Sequence, residues 1–133
     1  MTMADLSTTY LGLALPHPFV ASAGPISHTL DGIRRLEDGG AAAIVLFSLF
    51  EEQIRREQEA LLRLLSEGAD SHGEASGYFP AADGLRVGPG AYLELIRQAR
   101  EAVHVPIIAS LNGSTDDGWV EYARDLADAG AQA

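Results

Sequence analysis

Three short apolar runs without a charge, each followed by a stretch of helical character, constrain this chain more than any other feature. They are PFVASAG (residues 18–24), AIVLF (Ala43–Phe47, followed by Ser48) and PIIASL (residues 106–111). Runs this short, rich in β-branched residues and bounded by Gly or Pro, read as strands buried on both faces of a parallel sheet. Strand and helix alternate along the chain, which requires parallel strands joined by right-handed crossovers. The fold class is therefore α/β.

The segments between the runs agree. At the N-terminus, Thr8–Leu11 and Leu13–Leu15 flank Gly12 and are closed by Pro16 and Pro18, as in a β-hairpin. Ser27 or Thr29 is placed to cap a first helix, with Asp31 near its positive end and Leu30, Ile33 and Leu36 facing inward; Gly39-Gly40 stops it. A second helix is expected from near Phe50 to Leu65. Its buried side would carry Ile54, Gln58, Leu61, Leu62 and Leu65, with Glu51, Glu52, Arg55, Arg56, Glu57 and Glu59 in water. Ser66 to Gly88 shows no sustained period and is too long for an ordinary connection. Pro89 opens a helix bearing Tyr92, Leu95, Ile96, Ala99 and Val103. After the third strand, which ends at Asn112-Gly113, Ser114 with Asp117 resembles a capping box for a helix bearing Val120, Ala123, Leu126 and Ala127.

RLEDGGAAA (residues 35–43) and DLADAGAQA (residues 125–133) share Leu, Asp, Gly and two Ala at equal offsets. The first copy ends a helix and leads into the strand at Ala43, so the second predicts a further strand due at Ala133 and a chain that stops inside a repeating fold. The alternative is that two helix ends have converged on similar Ala and Gly usage. A closed (β/α)₈ barrel takes roughly 250 residues, which these 133 cannot supply.

The formal net charge is −10, from 19 acidic and 9 basic residues, and no Lys/Arg cluster offsets it. Such a balance repels phosphate backbones and anionic lipid, which argues against nucleic acid and membrane as partners. The longest apolar run, Ala41–Phe47, is far short of the roughly 20 residues of a membrane-spanning helix. The chain has no cysteine, hence no disulfide or thiolate site, in keeping with a cytoplasmic setting. His72-Gly73-Glu74 offers two ligands on a loop, too few for a metal site, so no metal is expected. The GxG at residues 88–90 lacks the rest of a dinucleotide loop.

HPFVASAGPIS, preceded by LSTTYLGLALPHP, resembles the opening of class 1-type dihydroorotate dehydrogenases and their relatives; GGAAAIVLFSLFEE resembles their second barrel strand and VPIIASLNGST their third. The resemblance implies the N-terminal half of a TIM (β/α)₈ barrel over residues 1–133, with an N-terminal β-hairpin plugging the barrel floor and the remaining strands absent. It implies FMN at the C-terminal ends of the strands, where Ser22, Ala23 and Gly24 match the small residues beside the flavin and Ser48 matches a flavin contact. Small side chains let a flat ring lie against backbone, and Gly24 is free to take positive φ; the alternative is that they simply fill a narrow interior. Asn112 is placed either to reach the cofactor or to cap its loop.

Two departures bear on the substrate. Phe47 stands where the family has a lysine that touches flavin and substrate, and residues 76–84, where the family has an asparagine-bearing loop, contain none. Phe47 is thus expected to face the flavin side and to make the pocket more apolar, for a small-molecule substrate other than dihydroorotate. The implied reaction is oxidation of a carbon–carbon single bond, the family's step in pyrimidine biosynthesis, in which a base removes a proton while flavin N5 takes a hydride. The family's catalytic base, a cysteine or serine, lies on a loop beyond these residues, so no catalytic residue is assigned. A reading from another class is a non-catalytic half barrel that self-associates as a homo-oligomer to cover its strand edges. A third, a non-flavin phosphate-binding barrel, needs a phosphate loop that these residues lack.

Overall fold

A computed structural model describes residues 4–70, 89–113 and 115–133. Strands β1 (Thr8–Tyr10) and β2 (Leu13–Leu15) pair antiparallel around the turn at Leu11-Gly12. The chain then runs through β3 (Val20–Ala21), a short 3-10 turn (Pro25–His28), α1 (Leu30–Asp38), β4 (Ala43–Phe50), α2 (Glu51–Asp70), α3 (Pro89–Ala102), β5 (Ile107–Asn112) and α4 (Asp116–Ala129). Strands β3, β4 and β5 form a parallel sheet in that order, so the fold is mixed α/β, and both the hairpin and the adjacency of the three apolar runs are as the sequence pattern requires. Among the described residues no helix is long and apolar enough to cross a membrane.

Two apolar clusters hold the sheet. On one face Ile44, Leu46 and Leu49 of β4 and Ile107 of β5 pack against Ile33 of α1, Tyr92, Ile96 and Ala99 of α3 and Leu126 of α4. On the other, Ala43 and Ile108 pack with Val20, Val45, Leu13 and Leu15, so the hairpin covers the N-terminal ends of the strands. Each fully buried isoleucine contributes roughly 1.5–3 kcal/mol. Burial on both faces does not extend to the whole sheet: Val20 and Ala21 are half-buried, and Phe50 is exposed at the end of β4. The cause is that β3 is an edge strand of two residues, and that the hairpin-side cluster, which ends at Val45 on β4, does not reach Phe50.

The repeated segments fold alike. In the first, the N–H groups of Gly40 and Ala41 donate to the Glu37 and Leu36 carbonyls; in the second, those of Gly130 and Ala131 donate to the Ala127 and Leu126 carbonyls. Gly40 (φ 89°) and Gly130 (φ 110°) both take the left-handed conformation that closes this cap, which glycine adopts at little cost. The Ala42 N–H then reaches the Phe19 carbonyl, and the Gln132 N–H reaches the Ile107 carbonyl, at 2.9 Å in both cases. Residues 132–133 thereby lie along the outer edge of β5 as 42–43 lie along β3, with the Ala109 N–H donating to the Ala133 carbonyl at 2.8 Å.

Several boundaries differ from those the periodicity suggests. Strand β4 continues past Phe47 to Phe50, and α2 starts at Glu51 and runs to Asp70, through the first residues of the long segment. Residues 71–88, which include His72, Glu74 and segment 76–84, lie outside the described residues, as do Ser114 and the side chains of Glu57, Gln58, Leu61, Leu65 and Asp117. Thr29, not Ser27, caps α1, its Oγ1 accepting from the Gly32 N–H at 3.1 Å. The N-cap of α4 is Thr115. On α4 only Leu126 of the four expected inward residues is buried; Val120, Ala123 and Ala127 are exposed. Ala123 and Ala127 line an apolar groove beside β5, which explains their character without burial. Leu62 is exposed on α2, whereas Glu51, expected in water, is only 2% exposed.

Candidate functional site at the strand ends

The C-terminal end of the sheet is shaped by a β-bulge. Val45 pairs with Ile108 and Ser48 with Ser110, so three steps along β4 oppose two along β5. An inserted residue reverses the inside-outside alternation beyond it. Ahead of the bulge Val45 packs on the hairpin side and Leu46 on the helix side. After it Phe47 and Leu49 pack toward the helices, and Ser48 and Phe50 share the opposite face with Ser110, the Ser48 and Ser110 hydroxyls lying 2.8 Å apart.

A cleft of about 370 Å³ opens here, bordered by Ala23, Gly24, Phe47 and Ser48 together with His28, Phe50 and Gln53. Four residues drawn from the sequence are thus brought together. Two are not. Ser22 lines a different hollow, with Tyr10, Leu15, Val20 and Val45 beside the hairpin, and Asn112 is exposed at the end of β5, in register with Phe50.

Phe47 borders the cleft, but its ring is engaged on the helix side. It stacks on the His28 imidazole (centroids 3.8 Å apart, planes at 22°) and meets Tyr92 edge-on at 4.9 Å. Phe47 therefore borders the strand-end cleft while its ring packs on the helix side, the bulge having turned the strand by one residue just before it. Gly24 also differs from expectation: its φ is −176°, extended backbone open to any residue, not the left-handed region. A Cβ there would meet nothing nearer than the Ser22 carbonyl oxygen at 3.9 Å. Neither conformation nor packing demands glycine, so what its smallness provides is room in the cleft.

Tyr92 is buried under the bulge. Its hydroxyl donates to the Phe47 carbonyl at 2.8 Å and accepts from the Ser110 N–H at 3.2 Å. Burial pushes its phenol pKa up from the ordinary 10.0, the bond from Ser110 pulling partly the other way. Glu51, first residue after β4, holds the start of α4. It accepts from the Thr115 N–H at 3.0 Å and from the Thr115 hydroxyl, and pairs with Arg55 at 2.7 Å. A carboxylate from a neighbouring helix thus meets the N–H and hydroxyl of the N-cap residue at the positive end of α4.

Sequence reasoning missed His28, Phe50, Gln53, Glu51 and Tyr92 as members of this end. One signal was available: Leu49-Phe50 continues the apolar run past Ser48, which places Phe50 and Gln53 at the strand end. For His28 there was none, since its partner ring is remote in sequence. Among the described residues no three His, Cys, Asp or Glu side chains are grouped to hold a metal ion. The room left at Ala23 and Gly24, the Ser48 hydroxyl and the aromatic Phe50 fit one edge of a flat heteroaromatic ring, and the volume is at the small end for ligand pockets. No protein family matches the chain, and no curated protein matches it.

Proposed function

We propose that this chain supplies part of the flavin wall of an FMN-dependent oxidoreductase acting on a CH–CH bond, similar to dihydroorotate dehydrogenases, as the N-terminal half of a (β/α)₈ barrel. The observation that carries the reading is the cleft at the C-terminal strand ends, bordered by Ala23, Gly24 and Ser48, where glycine leaves space that the fold itself does not need. FMN, when bound, supplies hydride acceptance. Ala23 and Gly24 admit a ring against backbone, and the Ser48 hydroxyl, already bonded to Ser110, offers a directed polar contact. Phe47 brings no charge, so the small-molecule substrate is less anionic than dihydroorotate. His28 adds an imidazole to the cleft's border.

Titration of isotope-labelled protein with FMN tests this. Shifts are expected first at the amides of Ala23, Gly24 and Ser48. Affinity should be weak, with a dissociation constant on the order of 0.1–1 mM, since the chain is strongly acidic and its sequence offers no glycine-rich loop opening a helix in the place a phosphate needs. Shifts centred elsewhere, or none at millimolar FMN, overturn the reading.

A second reading, the non-catalytic half barrel that self-associates, is favoured by one feature. An apolar groove of about 550 Å³ runs beside the outer edge of β5, lined by Leu111, Trp119 and Ala123, with Trp119 44% exposed. Light scattering across concentration distinguishes it: a dimer that buries Trp119 and leaves FMN unbound supports this second reading.

A further inference from the structure

We propose that Tyr92 is a positioning residue of the strand-end cleft: its hydroxyl, inserted in the bulge between β4 and β5, fixes which β4 side chains face the cleft. The inference about the strand stands on hydrogen bonds; its consequence for flavin rests on the function proposed above.

In a regular parallel ladder the Ser110 N–H would bond a β4 carbonyl directly. The extra residue between Val45 and Ser48 interrupts that pairing. The phenol repairs it in both senses, donating to the Phe47 carbonyl and accepting from the Ser110 N–H. It is held there by burial in the helix-side core and by the edge contact with Phe47. Without the hydroxyl, the Phe47 carbonyl and the Ser110 N–H lose this partner next to the core, which is costly for buried backbone groups. The strand can recover direct pairing by expelling the bulge. A one-residue slip reverses every side chain beyond it. Ser48 and Phe50 would then turn toward the helices, and Leu49 toward the cleft.

Tyr92→Phe keeps the ring and removes only the bridge. In the absence of ligand, the Ser110 amide should exchange about tenfold faster or more, and the nuclear Overhauser contact between the Ser48 and Ser110 side chains should weaken or vanish. Unchanged exchange and an unchanged contact overturn the proposal. The FMN dissociation constant should rise about fivefold in Tyr92→Phe but change less than about twofold when the same substitution is made in Ser48→Ala, because the hydroxyl acts through Ser48. An equal rise in both backgrounds would mean that Tyr92 merely stabilises the fold, and overturns the positioning role. If the unaltered protein shows no FMN shifts, the flavin reading fails, while exchange and the Ser48–Ser110 contact still judge the bridge. Should Tyr92→Phe not fold, the unaltered protein carries the test: a slowly exchanging Tyr92 hydroxyl proton close to the Ser110 amide proton is expected, and its absence overturns the proposal.

Discussion

The two ends of the parallel sheet are built on different physics. At the N-terminal ends of the strands, Ala43, Val45, Val20 and Ile108 pack with Leu13 and Leu15 of the hairpin, and the ladder is regular from Ile44 opposite Ile107 to Val45 opposite Ile108. At the C-terminal ends the ladder is interrupted, and directed hydrogen bonds add to the packing of Leu49 and Leu111: Tyr92 in the bulge, Ser48 to Ser110, Glu51 to Thr115. Apolar burial is non-directional and scales with area, whereas a buried hydrogen bond is lost entirely when one partner is misplaced. The first end should therefore respond to volume and the second to geometry at constant volume.

The largest effect should come from volume in the regular half of β4. Ile44 is 0% exposed and lies among Ile33, Ile96 and Ile107. Ile44→Ala should lower stability by about 2–5 kcal/mol, the cost of lost burial plus a cavity, read from the denaturation midpoint. A loss below about 1 kcal/mol would show that this half of the sheet is loosely packed and would break the contrast.

Glu51→Gln tests the other end with almost no change in volume. The amide keeps one acceptor oxygen but cannot serve the Thr115 N–H, the Thr115 hydroxyl and Arg55 together. A loss of about 1–3 kcal/mol is expected, with faster amide exchange in the first turn of α4. Equal stability of the variant would show that geometry at this end is not what holds it.

Smaller again is a pH effect. The folded pKa of Tyr92 lies above its unfolded value near 10.0, so the folded chain holds this proton more tightly. Its contribution is whole below that value and is lost as pH rises through the folded pKa, because the unfolded chain then binds fewer protons. Tyr122 is raised as well, by burial and then by Glu121 beside it, so the loss must be read as a difference. The fall in stability above about pH 10 should be shallower in Tyr92→Phe than in the unaltered protein. Identical slopes in denaturation series at several alkaline pH values would contradict the buried, bonded phenol.

The same contrast explains what could be read from the sequence. Apolar runs announce regular, buried strands, so the order and parallel pairing of β3, β4 and β5, and the hairpin ahead of them, were legible in residue type alone. So was the helix-to-strand junction, because the left-handed turn at Gly40 and Gly130 leaves a glycine at one offset in both copies. The bulge was not legible. It needs no special residue, and its consequence, Phe47 turned to His28 and Tyr92, depends on partners remote in sequence. Glu51 was misread for a related reason. In the first turn of a helix a glutamate looks like an ordinary solvated residue that complements the dipole, and only the approach of Thr115 from another helix buries it. Four of the candidate residues, Ala23, Gly24, Phe47 and Ser48, meet at one cleft because all follow from strand ends; Ser22 diverges to the hairpin side because alternation turns successive side chains apart.

The smallest expected effect on stability is at Gly24, and it sharpens the contrast most. Glycine in a fold is ordinarily explained by a left-handed backbone or by a close neighbour. Gly24 has neither: its backbone is extended at φ −176°, and an added methyl would stand 3.9 Å from the nearest heavy atom, the Ser22 carbonyl oxygen. Gly24→Ala should thus leave stability within about 0.5 kcal/mol, or raise it slightly by restricting the unfolded chain. The added methyl would nevertheless project where the cleft borders Ala23 and Ser48, and a flat ring lying against the backbone could not approach as closely. FMN-induced amide shifts at Ala23 and Ser48 should accordingly shrink, with the dissociation constant rising about threefold or more, roughly 0.7 kcal/mol at least. Loss of stability would return Gly24 to a purely structural role, and unaltered FMN shifts on a stable Gly24→Ala would remove this wall from the proposed site.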